Sequence, residues 1–314
     1  MVKYLDKNIY FCSGRTALYN GIILSNLNKK KIILLPEIIC KEILIPFKKL
    51  NIKYKFYELD DQLKPKWSKL NKLKLKNISS IMMIHYFGFP SDISKFKKYT
   101  KKNKIFLIED YCHGYDGYYK SKKLGSFGHI SIMSPKKIIK ELYSGGVLKL
   151  NFNIKKKKVN LEKKTINLFQ LFIQKIKNLY IVNNIKIFIK NIKIRPSKII
   201  HNDNVFENKL IDDMSLKIIK EKNYSLKYRV DQYKILYNFL KKNNIDPIYN
   251  LNKKDKIIPW HIPFYLKKNE YLNFKKIIKK ANLNIIQWPS IPNELKHDLN
   301  IKKKYSELYC ITIK

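Results

Sequence analysis

The stretch KIFLIEDYCHGYDGYYK, residues 104–120, decides how the rest of the chain is read. Lys104 to Glu109 form a short apolar run of strand length, which ends on two carboxylates with Cys112 and His113 close behind. Successive side chains on a strand point to opposite faces, so Glu109 and Asp110 do not serve one two-carboxylate site. Three readings of the cluster stand: a metal site from Asp110, Cys112 and His113, a nucleophile with its base, or a strand end reaching into a larger active site. Adjacent Cys and His rarely chelate one ion, and the plainest alternative is a solvent-capped strand end with a hydrogen-bonded histidine.

Outward from this stretch, the first half of the chain alternates strands and helices. Lys31–Leu35, Tyr54–Leu59, Ile78–Ile84 and Lys104–Glu109 read as strands, and Thr16–Leu27, Glu37–Leu50 and Ser91–Lys102 as helices, the last capped by Ser91 or Asp92. The alternation predicts an α/β layer sandwich with a mostly parallel sheet, where ligands bind beyond the carboxyl ends of the strands. Residues 151–204 are lysine-rich, dotted with aromatics, and match no element. Ile211–Lys242 reads as one long helix or a broken pair. Ile257–Leu266, a helical Asn269–Lys280 and Ile285–Trp288 then suggest a small α+β unit. The expected division is a large α/β domain over residues 1–205 and, over 206–314, the long helix with the small C-terminal domain. There is no internal repeat.

Composition narrows the function classes. The 314 residues carry a formal net charge of +42, which suggests nucleic-acid binding. The charge is almost all lysine, however, and arginine occurs only at Arg15, Arg195 and Arg229. A reader of nucleic acid favours arginine's planar fork. Abundant Lys, Ile and Asn instead fit A/T-rich codons, so no nucleic-acid partner is expected and each arginine is informative. No apolar run reaches the roughly 20 residues of a membrane span, and the charged MVKYLDKNIYF start does not resemble a signal peptide. A cytoplasmic protein follows as the expectation. Cys12, Cys40, Cys112 and Cys310 form no CxxC pair, so neither a disulfide framework nor a zinc site is expected.

Two further stretches carry chemistry. In FCSGRTAL, residues 11–18, a small-residue turn runs straight into a helix, leaving free backbone N–H groups beside Arg15. This is either an anion site using Gly14, Arg15 and Thr16 or an ordinary cap by Ser13 or Thr16. In GSFGHISIMSPKKIIKELYSGG, residues 125–146, a strand ends at Ser134 beside Lys136 and Lys137, and a Ser-Gly-Gly turn follows. A lysine in this chain is a solvated surface charge by default; the position beside Ser134 singles out this pair. An acid, an amine and an anion cradle at one sheet edge are what pyridoxal phosphate requires.

With these residues in view, the chain resembles the DegT/DnrJ/StrS sugar aminotransferases, a family of fold-type I pyridoxal-phosphate enzymes. SGRTAL matches the family's SG-x-x-AL opening. LPEIICKEIL stands where the family has a proline-led loop over the cofactor ring, IMMIHYFGFPSDISKF matches its next strand and helix, and IEDYCHGYDGYYKSKKLGSFGHISIMSPKK its "iEDaaqa…lGsfGd…fS" segment. The resemblance implies a three-layer fold-type I sandwich, a pyridoxal 5'-phosphate cofactor, an amino-acid donor such as glutamate, a keto-sugar acceptor, nucleotide-linked, and a homodimer working in surface-polysaccharide or amino-sugar synthesis. By position it implies Asp110 as partner of the pyridine nitrogen, His113 near the ring hydroxyl, Ser134 on the phosphate and Lys137 as the Schiff-base lysine, assisted by burial. Lys136 is the second choice, since one branch has S-P-R-K here. Cys40 replaces the usual aromatic residue over the ring. The Asn-containing loop lent by a partner subunit is not recognisable in 151–210, and the chain is short for the family. Its rivals are a degraded, non-catalytic homologue and a basic nucleic-acid-binding protein.

Overall fold

The computed structural model describes residues 8–27, 31–73, 77–151, 162–163, 209–221, 226–251 and 256–313. Strands and helices alternate where the apolar runs and amphipathic stretches alternate. β1 (Asn8–Phe11) leads to α1 (Gly14–Leu24), β2 (Ile32–Pro36) to α2 (Leu44–Lys49), β3 (Tyr54–Tyr57) to α3 (Trp67–Leu70), and β4 (Ile78–Ile84) to α4 (Ile93–Asn103). Next come β5 (Phe106–Tyr111), a hairpin of β6 (Tyr118–Tyr119) and β7 (Lys122–Lys123), β8 (Ile130–Met133) and β9 (Gly146–Leu150). β10 (Glu162–Lys163), β11 (Lys209–Leu210), α5 (Asp213–Glu221) and α6 (Lys227–Lys242) precede the last elements: β12 (His261–Tyr265), α7 (Lys268–Lys280), β13 (Ile285–Gln287), α8 (Leu299–Glu307) and β14 (Leu308–Thr312).

The large sheet has nine strands in the order β10-β11-β1-β9-β8-β5-β4-β2-β3. From β8 to β3 the strands are parallel, and β9 runs antiparallel to both its neighbours. β4 and β8 are buried almost throughout, as strands covered on both faces must be. The mostly parallel α/β architecture expected from the sequence is therefore present. β12, β14 and β13 form a second, antiparallel sheet. One apolar core runs from Phe11 and Leu35 to Phe264 and Ile311, joining the two sheets. Among the described residues, no helix is long and apolar enough to cross a membrane.

Two local readings change, and a third is decided between its two alternatives. The helix expected from Glu37 begins only with a 3₁₀ turn at Lys41, because the C-terminal segment claims the backbone before it. The Tyr305 hydroxyl accepts from Ile39 N–H at 2.9 Å, Lys304 Nζ reaches Glu37 at 2.6 Å, and the Tyr86 hydroxyl donates to Ile38 O. Asp92 sits at the cap of α4 but gives its side chain to the Trp67 indole N–H, at 2.8 Å. The described residues between Ile211 and Lys242 form two helices, α5 and α6, the broken-pair alternative. Most of the 151–205 stretch, and Arg195 with it, lies outside the described residues.

Candidate active site

The site begins with the pleat of β5. Asp110 pairs with Ile84 on one side and Ile132 on the other, and all three side chains line one cavity of about 340 Å³ at the carboxyl ends of the parallel strands. Asp110 is buried and its Oδ1 accepts the Cys112 backbone N–H at 2.8 Å. Burial pushes its carboxyl above the ordinary value, while the Cys112 N–H and the Lys137 charge pull the other way.

Glu109 is not on the cavity wall. It collects the N–H groups of Gly125, Phe127 and Gly128, each at 2.7 Å, with Ser131 Oγ and His85 Nε2 both at 2.9 Å. Burial alone would raise its pKa; the His85 and glycine donors outweigh that and hold the carboxyl low. The GSFG turn is thus a cradle for Glu109. A Cβ on Gly128 would stand 2.8 Å from Glu109 N, closer than real Cβ atoms come.

The anion end is built by α1. Ser13 caps the helix, its Oγ accepting from Thr16 N–H at 3.2 Å, and Ser13, Gly14 and Arg15 line the cavity. The start of β9 presses so closely on this turn that a Cβ on Gly146 would lie 2.0 Å from Ser13 O, which explains the glycine at 146. Ser134 Oγ also faces in, 3.4 Å from Gly145 O. Arg15 Nη1 is buried yet has no hydrogen-bond partner among the described residues. Thr16, by contrast, is fully buried off the wall, its hydroxyl against Ser13 Oγ at 2.9 Å and Cys12 Sγ at 3.4 Å.

The two lysines part on the Pro135–Lys137 turn. Lys136 Nζ donates to Tyr143 O at 2.6 Å, away from the cavity wall. Lys137 is on that wall, with Nζ 4.9 Å from the centre of the Trp260 ring. One expectation is corrected: the Lys137 residue is exposed rather than buried within this chain.

The remaining wall is aromatic. His113 Nδ1 accepts the Phe87 backbone N–H at 3.3 Å, so the ring is neutral with its proton on Nε2. Burial first, then the Lys137 and His261 charges, push its pKa well down. Its ring stacks on Trp260 at 4.4 Å and meets Trp288 edge-on at 4.7 Å. Arg229, almost wholly buried, holds Trp260 by donating to Pro259 O at 2.9 Å and to Trp260 O. Cys40 also lines the cavity, its thiol pushed up to about 12 by burial and met by the Trp288 indole N–H.

Among the described residues, no group of three His, Cys, Asp or Glu side chains is placed to hold a metal ion, Asp110, Cys112 and His113 included. Trp260, Trp288 and Glu42 are cavity residues that motif reading passed over. The signal was there: the chain has only three tryptophans.

Comparison with known proteins agrees with this geometry. Over 55 residues the chain is 36% identical to GDP-perosamine synthase of Escherichia coli O157:H7, a segment covering 18% of this chain and only 15% of that relative. Among solved structures it superposes on PseC of Helicobacter pylori, an aminotransferase involved in pseudoaminic acid biosynthesis, with a TM-score of 0.66, 15% identity, and coverage of 97% of this chain and 81% of that one. GDP-4-keto-6-deoxy-D-mannose-3-dehydratase of E. coli, solved with bound hydrated PLP, gives 0.63 at 15% identity over 97% and 82%. These likenesses show the fold, that of the fold-type I aminotransferases. The model of the DegT/DnrJ/EryC1/StrS aminotransferase family matches residues 6–166, just over half of the chain, and the chain belongs to that family.

Proposed function

We propose that the protein is a pyridoxal-phosphate aminotransferase that moves an amino group from an amino acid such as glutamate to a keto-sugar, nucleotide-linked, for surface-polysaccharide or amino-sugar synthesis. One observation carries the reading: Asp110, Lys137 and the N-terminal turn of α1 with Arg15 all stand on the wall of the same 340 Å³ cavity. The residues fit the cofactor. Its phosphate suits the backbone N–H groups at Gly14 and Arg15, the buried unpartnered Nη1 of Arg15, and Ser134. Its pyridine nitrogen suits Asp110, the buried carboxylate on the wall, and its ring hydroxyl suits the Nε2–H of neutral His113.

When bound, pyridoxal phosphate supplies an electron sink for cleavage at the donor's Cα–H bond. Asp110 holds the proton on the ring nitrogen; the positive charge arriving there favours the carboxylate form that burial otherwise opposes. Lys137 would supply the amine that holds the cofactor's aldehyde, and the same amine would be placed to carry the proton to and from the donor's Cα. Exposure of Lys137 beside the cavity leaves the site open on that side, which supports a homodimer whose second copy closes it. The solved relative that carries hydrated PLP supports the cofactor, and the perosamine-synthase segment supports a sugar substrate.

The test is the purified protein itself. Bound pyridoxal phosphate colours it yellow, borohydride fixes it to the chain, and added glutamate bleaches it. A colourless protein that takes up no added pyridoxal phosphate sinks the reading. Light scattering is expected to show a dimer at micromolar concentration; a monomer throughout that range removes the homodimer.

A further inference from the structure

Resting on the cofactor reading above, we propose that Trp288, from the C-terminal segment, is the wall that packs its face against the cofactor ring. A pyridine ring whose nitrogen meets Asp110 and whose phosphate meets α1 needs a flat apolar partner. The flat side chains on the cavity wall are His113, Trp260 and Trp288. His113 and Trp260 are already stacked on each other at 4.4 Å. Trp260 is further committed to His261, stacked at 4.2 Å, and to the Lys137 ammonium. Trp288 differs. It meets Tyr86, Phe87, His113 and Trp260 at 72° to 84°, and no described ring is stacked parallel to it.

The indole is also held in place. Its N–H meets the Cys40 sulfur, and its backbone N–H donates to Leu308 O at 3.1 Å, tying it to the second sheet. Cys40 stands where the resemblance places an aromatic residue over the ring. A small thiol there leaves room for an indole arriving from the other end of the chain. The flat wall comes from the segment after β13, and the cofactor pocket depends on the docking of the C-terminal sheet.

Titration with pyridoxal phosphate, followed by equilibrium dialysis and by quenching of tryptophan emission, tests this. Trp288→Leu keeps an apolar side chain without a flat face, and its Kd should rise about tenfold, with the circular dichroism of the wild type. Trp288→Phe, which keeps a ring, should bind within a few-fold of wild type but lose most of the quenching. A Trp288→Leu Kd within twofold of wild type overturns the proposal. If that variant does not fold, quenching as strong in Trp288→Phe as in wild type overturns it instead. Wild-type protein that binds no pyridoxal phosphate fails differently, by removing the cofactor reading itself.

Discussion

Glu109 and Asp110 are consecutive residues of β5, and the strand's pleat sends them to separate tasks. Asp110 reaches the cavity wall, and Glu109 is locked by five donors on the other side. The same two-residue sequence thus supplies one carboxylate for chemistry and one for construction.

Asp110→Asn preserves shape and removes charge. It should still take up pyridoxal phosphate and be fixed by borohydride, while the half-reaction with the amino donor slows by roughly a hundredfold or more. Stopped-flow absorbance at saturating donor measures this, and an unchanged rate would discard Asp110 as the ring-nitrogen partner.

Glu109→Gln should destabilise the fold by about 2–4 kcal/mol, since an amide cannot accept all five donors and leaves some buried and unpaired. Its pH dependence has a definite sign. The folded pKa lies below the ordinary value of 4.5, so Glu109's stabilisation is full above that value and is lost as pH falls through the folded one. Urea midpoints between pH 6 and 3 should fall more steeply in wild type than in Glu109→Gln. Parallel curves would contradict the assignment.

His113 and His261 push in the same direction over a higher window. Burial holds both neutral, His261 down to about 3, below the ordinary 6.5. The unfolded chain binds these protons first, so stability drops as pH falls below about 6.5, by about 1.4 kcal/mol per pH unit for each histidine. His261→Gln should remove about half of that slope between pH 6.5 and 5, measured by urea unfolding. A slope unaffected by His261→Gln would show that this ring is protonated in the folded state.

Lys137→Ala should abolish borohydride fixation of pyridoxal phosphate, and Lys136→Ala should leave it, because Lys136 is spent on Tyr143 O. Peptide mapping of the reduced adduct reads this directly. An adduct on Lys136 would place the reactive amine one residue earlier.

The legible part of the molecule was the part governed by local rules. Alternating apolar runs located β2 to β5, and residue types at the ends of strands picked out Asp110, Ser134 and the lysine pair. GSFGH was legible as a motif but not as a reason; only the fold shows that Gly128 is there to let Glu109 in. Trp260 and Trp288 were hidden because they enter the cavity by long-range packing. Trp260 is placed by Arg229, 31 residues before it, and Trp288 by contact with Cys40. The loop at Ile38–Cys40 was read as helix because nothing local announces that Tyr305 will claim it.

The second sheet has β14 in its middle, with β12 and β13 on either side and no pairing between those two. During synthesis, then, both flanking strands are made before the one that joins them. A chain halted ahead of Leu308 holds β12 and β13 without the strand that joins them, and a Trp288 whose backbone N–H lacks its Leu308 acceptor. The ribosome releases the pieces of this pocket in an order that leaves its closing strand until last.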